Sequence, residues 1–215
     1  MQQRTGSGQR LARRSPASGS DDGPQFAGAV NSTLTNGDFG DEGSQWWVTE
    51  GAVQVNGAEA KLTESPTRHT HLAQGFMVNA GDRVLAFTLA NQALQTNGSD
   101  GPTDAFEAAL LDANTGLPVA GTVALTRSDA LLNIQTDRSG QLSERLASGV
   151  RKQLNADGTT TYLIDLPATL AGTPVYLSFD LLGFGAAQSH VSLRDIRIVR
   201  DPQASCLRQH WPSIR

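Results

Sequence analysis

The sequence predicts an all-β chain folded as a two-sheet antiparallel β-sandwich. Three observations predict it. Apolar residues alternate with period two in many short segments, Gly- and Asn-containing turns separate those segments, and no crossover helices of the kind a parallel sheet needs stand between them. Together they imply roughly ten to twelve short strands.

Taken in order, Val53-Gln54-Val55 and Glu59-Ala60-Lys61-Leu62 flank Asn56-Gly57, a strong hairpin signal. Phe76-Met77-Val78 ends at the turn Asn79-Ala80-Gly81-Asp82, and Arg83–Leu89 resumes as a strand. The polar stretch from Asn91 to Thr103 reads as a loop. Ala105–Asp112 is a strand closed by the turn Ala113-Asn114-Thr115-Gly116, with a short run at Val119 after it. Leu142–Ala147 is the single segment with helical character. Val150–Leu154 and Thr160–Ile164 flank Asn155-Ala156-Asp157-Gly158 as a second hairpin, and the last strands are Pro174–Leu182 and His190–Val199. Phe87, Leu89, Phe106, Leu110, Tyr176, Phe179 and Leu181 fall inside these strands and are the expected core. Each such side chain contributes on the order of 1.5–3 kcal/mol once buried.

The 215 residues suit one domain. Residues 1–26 are rich in Gly, Ser, Arg and Gln and lack both apolar periodicity and the hydrophobic stretch of a secretory signal. They read as a disordered, leader-like extension, 27–200 as the sandwich, and 201–215 as a tail that is loose or docked through Trp211. With the ends carrying net positive charge, 27–200 hold 11 basic and 18 acidic groups. An acidic body with two lysines in the whole chain argues against nucleic acid and anionic lipid, and suits neutral ligands or hard cations. No run of eighteen apolar residues exists to span a membrane as a helix. The single Cys206 forbids an intrachain disulfide.

Several segments resemble the jelly-roll, galactose-binding-like modules of bacterial extracellular proteins, which include many carbohydrate-binding modules. They are Thr35-Asn36-Gly37-Asp38-Phe39 with Trp46-Trp47-Val48, the run Ala105–Asp112 with Thr115-Gly116, Ala171–Phe184, and Val191–Ile198. The resemblance implies a sandwich over about 31–200, secretion as part of a larger protein, and a structural calcium ion between the opening turn and the last strand. Its ligands would be Asn36, Asp38, Asp41 and Asp195. Calcium takes six to eight oxygen ligands, so the residue types suit it; the plainer alternative is that Asn36 and Asp38 cap a turn.

Other residues suggest chemistry on their own account. His69 and His71, two apart on a strand, share a face about 7 Å apart. They would hold zinc or copper if Glu107 or His190 joined them from a neighbouring strand. Glu107 is opposite in parity to Phe106 and Leu110, so it faces outward if they are core, where it would bond sugar hydroxyls or act as a base. One of Trp46 and Trp47 belongs in the core; the other is a candidate sugar platform or a cover for the end of the sandwich. The loop Asn97–Asp104 offers oxygens for a second calcium but lacks EF-hand spacing. No Gly-x-Ser-x-Gly elbow, Walker loop or dinucleotide fingerprint occurs.

Two main expectations follow. One is a non-catalytic, calcium-stabilised module that binds carbohydrate through Trp46 or Trp47, His69, His71, Glu107 and His190. The other is a metal-dependent hydrolase of a glycan, ester or lactone in which Glu107, His69 or His71 activates water. A structural or adhesive repeat is the third.

Overall fold

The computed structural model describes residues 26, 28–41, 47–96, 102–125, 128–137, 139–184 and 189–200. Thirteen strands and one 3₁₀ turn, Ala168–Leu170, make up the regular structure of these residues. In chain order the strands are β1 (Val30–Asn31), β2 (Val48–Glu50), β3 (Ala52–Asn56), β4 (Glu59–Thr63), β5 (His69–Met77), β6 (Asp82–Ala93) and β7 (Ala105–Asp112). They continue as β8 (Leu132–Thr136), β9 (Leu142–Leu146), β10 (Val150–Leu154), β11 (Thr160–Asp165), β12 (Pro174–Leu182) and β13 (His190–Arg200). One sheet has the order β1-β5-β12-β7-β8-β9, with β2 also pairing β5; the other is β10-β11-β6-β13-β4-β3. Every pairing is antiparallel except that of β1 with β5. The predicted two-sheet sandwich is the observed fold.

Parity sets the layers. On β12, Val175, Leu177, Phe179 and Leu181 are buried between the sheets, while Tyr176, Ser178 and Asp180 face the other way. On β7 the core set is Phe106, Ala108 and Leu110, and Glu107, Ala109 and Leu111 face outward. Phe179 is the hub of the aromatic core: it meets Phe87 edge-on at 5.0 Å and stacks on Phe106 at 6.2 Å.

Both predicted hairpins form. The first turns through Gly57 and Ala58, with Gly57 at φ +60°; the second closes Asn155–Gly158 by Asn155 donating to the Thr159 carbonyl. Leu142–Leu146 is not helical. It is the edge strand β9, paired with β8, with Glu144 turned toward Tyr162 and Lys152 on the opposite sheet. A five-residue segment cannot offset the cost of helix nucleation, whereas a neighbouring strand offers it a ladder at once. The run at Val119 makes only the single bridge Leu111–Pro118.

The opening segment is tied to both sheets. Gln74, buried on the core side of β5, accepts from the Thr35 N–H at 2.8 Å and donates to the Thr35 carbonyl at 2.9 Å, as a strand neighbour would. Ile196 donates to the Gly37 carbonyl at 2.8 Å, beside a bulge of β13 in which Asp195 has φ +54°.

Candidate functional site

The outer face of the first sheet carries a groove of about 450 Å³. Its floor follows from strand register. Glu50 on β2 pairs with His71 on β5, His71 with Asp180 on β12, Asp180 with Glu107 on β7, and Glu107 with Asn133 on β8. Five polar side chains thus stand in one row across five adjacent strands. Each belongs to the outward parity of its strand, so none can turn into the core without reversing the register.

The two histidines converge on a single atom. His69 approaches Asp180 Oδ1 through Nε2 at 2.7 Å and His71 through Nδ1, also at 2.7 Å. Ser178 donates from Oγ to the other carboxylate oxygen at 3.2 Å. Burial alone would raise the Asp180 pKa, but the hydrogen bonds from His69 and His71 outweigh it and hold the carboxyl at about 2. The same bond to Asp180 raises His69 above the ordinary imidazole value. Glu107 is shifted up by burial, against the pull of Asn133, whose Nδ2 donates to Oε1 at 2.8 Å.

Beyond this row the groove becomes apolar. Phe26 stacks on Tyr176 with ring centroids 4.9 Å apart and planes 17° off parallel, and Leu111, Ala109 and Val48 continue the wall. Phe26 comes from the margin of the segment read as an extension. It also crowds Gly75 on β5, where a Cβ would clash with the ring, so glycine is what lets the aromatic lie down.

The expected site residues therefore divide. His69, His71 and Glu107 share the groove. His190 does not join them: it begins β13 in the other sheet and contacts Asn91. Its separation from His69 in the sandwich, invisible to a one-dimensional reading, removes it from the ligand set. Trp47 packs inward against Phe39 at 5.5 Å and Phe179 at 6.4 Å and donates from its indole to the Asn36 carbonyl at 3.2 Å. Partly buried, it packs against the core with its polar edge satisfied rather than lining the groove. Trp46 lies outside the described residues, as does the loop 97–101.

At the opening turn, Asn36 Oδ1 accepts from the Asp41 N–H and Nδ2 donates to the Asp41 carbonyl, both at 3.0 Å. Asp38 accepts from the Gly40 N–H. Asp195 pairs with Arg197. Ile196 brings the turn beside Asp195 as the expected calcium site required, but Asp38, Asp41 and Asp195 do not gather into one three-carboxylate cage; among the described residues the convergent ligand group is His69, His71 and Asp180. As placed, the Asn36 and Asp38 side chains cap the turn, and the Arg197 cation competes for Asp195.

Asp180 and Asn133 were missed from sequence. Asp180 sits in Ser178-Phe179-Asp180-Leu181, whose alternation marks it as outward-facing, the same signal that selected Glu107. Among the described residues no helix is long and apolar enough to cross a membrane.

No family model matches the chain, and no curated protein matches it. Among solved structures, one described as "CBM4 structure and function" has 16% identity and a TM-score of 0.39, with 79% of this chain and 100% of that one covered. Another, on "the promiscuous specificity of the carbohydrate-binding modules from the beta-sandwich super family", has 10% identity and a TM-score of 0.35. It covers 79% of this chain, which spans 63% of its length. Values this low assign neither a ligand nor a site.

Proposed function

We propose that the protein is a carbohydrate-binding β-sandwich that takes a neutral glycan in the groove of its first sheet. The observation that carries this is the division of one sheet face into an apolar wall (Phe26, Tyr176, Leu111) and a row of hydrogen-bonding groups (Glu50, His71, Asp180, Glu107). A sugar ring has the complementary division, with C–H faces that pack on aromatic surface and hydroxyl edges that donate to carboxylates. Glu50, Glu107, Asp129 and Asp180 line the groove with no lysine or arginine among the described residues that line it, which opposes uronic acids and phosphorylated sugars and selects neutral ones. Binding glycans would suit a secreted protein.

Calorimetric titration against neutral and acidic oligosaccharides tests the proposal. Binding of a neutral glycan is expected, weakened about tenfold or more by Y176A and by E107A, since each removes one half of the complementarity. Failure of every neutral glycan to bind would remove it. Release of reducing ends in the same mixtures would instead favour the hydrolase reading.

Calcium belongs to this proposal as a stabiliser of the opening turn, an ion around which Asn36, Asp38, Asp41 and Asp195 would have to close, with Asp195 released from Arg197. If it binds there, millimolar calcium raises the melting temperature and D38N removes the increment; an unchanged melting curve leaves the turn to its hydrogen bonds.

A further inference from the structure

We propose that His69, His71 and Asp180 form a binding site for one divalent transition-metal ion of the zinc class. The three ligand atoms lie within 4.8 Å of one another. Side chains two residues apart on a strand stand on the same face, and here Nε2 of His69 and Nδ1 of His71 both reach Asp180 Oδ1. The cross-strand pairing of His71 with Asp180 fixes that carboxylate between them. Two backbones already held in a ladder therefore preorganise the set.

Donor chemistry decides the metal. Two imidazole nitrogens and one carboxylate oxygen suit zinc, cobalt, nickel or copper, whereas calcium and magnesium prefer oxygen throughout. Ligands around tetrahedral zinc stand roughly 3.3 Å apart, so the two 2.7 Å contacts need open by only about half an ångström. The surrounding charge favours a dication, since Glu50, Glu107 and Asp129 line the same groove with no lysine or arginine among its described residues. Ser178, bonded to the second Asp180 oxygen, orients the carboxylate as an outer-shell partner does. With three protein ligands the remaining position opens on the groove, where water would complete the shell.

The site shares His71 and Asp180 with the row proposed to meet a glycan but needs no glycan to bind metal, so it is tested without one. The 215-residue chain carrying C206S and H210A, which remove the thiol and the imidazole of the 201–215 tail, is titrated with zinc by calorimetry and with cobalt by visible absorption. One equivalent of metal is expected, with the intense absorption of tetrahedral cobalt. H71A should weaken zinc by more than the roughly 10–100-fold that a lost outer-shell partner costs, and H190A should leave it unchanged. Imidazole nitrogen NMR of the unmutated site keeps the test valid if H71A misfolds: zinc must shift His69 and His71 and spare His190. No stoichiometric uptake, or uptake that leaves the His69 and His71 resonances in place, overturns the proposal.

Discussion

Glu107 is a costly group for this chain to place in a strand. Its carboxylate stands in a strand of buried apolar residues, and burial raises its pKa. A carboxyl whose folded pKa is raised above its unfolded value destabilises the fold once ionised, and the cost is relieved as pH falls through the folded value. E107Q keeps an acceptor for Asn133 without the charge. It is therefore expected to raise the melting temperature at pH 7, to lose that advantage near pH 4, and to weaken glycan binding at both. A lower melting temperature for E107Q at neutral pH would show that the charge stabilises instead. At the centre of the core, Phe179 touches Phe87, Phe106 and Trp47 and is fully buried. F179A should cost about 3–5 kcal/mol in urea unfolding, because three aromatic partners cannot collapse into the space it leaves.

At the scale of elements, the hairpin tip at Asn155–Gly158 and the pin between the opening turn and β13 make separate predictions. Asp157 is held below the usual carboxylate range, first by the Thr159 hydroxyl, with the Thr159 N–H and Arg194 adding to it. A carboxyl with a depressed folded pKa contributes stability above its unfolded value, near 3.8, and loses it as pH falls. D157N should thus lower the melting temperature at pH 7 and draw closer to the parent chain as pH falls below the unfolded value of Asp157. At Gly37 any Cβ would run into the Ile196 carbonyl, so G37A must break the bond from Ile196 to the Gly37 carbonyl or displace the β13 bulge. A loss of about 1–3 kcal/mol in denaturant unfolding is expected.

Much of the architecture was legible in the sequence because period-two alternation is local: β5, β7, β12 and β13 read directly from their side-chain parity, and Asn155–Gly158 from its turn residues. Leu142–Leu146 was not legible, since its strand identity comes from β8 beside it and from Tyr162 across the sandwich. The site was half legible. Parity placed Glu107 outward, and the His-x-His spacing put both rings on one face. What escaped was pairing between strands far apart in sequence: Asp180 is 109 residues from His71 and their contact depends on register alone. The same blindness brought His190 into the set and left open which of Trp46 and Trp47 packs inward.

For the whole molecule, the sandwich acts as a frame that presents one sheet face and buries the other. The first sheet supplies the groove, and the second backs it through the aromatic core around Phe179. The chain's acidic body fits this division, because neutral ligands and cations, unlike anions, tolerate the four carboxylates lining the groove. The most direct test is an amide and side-chain NMR titration with a neutral oligosaccharide that binds in calorimetry. Perturbations are predicted to cluster at Glu50, His71, Tyr176, Asp180 and Glu107 and to leave β3, β4 and β10 unmoved. Shifts centred on the second sheet, or on the opening turn alone, would contradict the placement of the binding site.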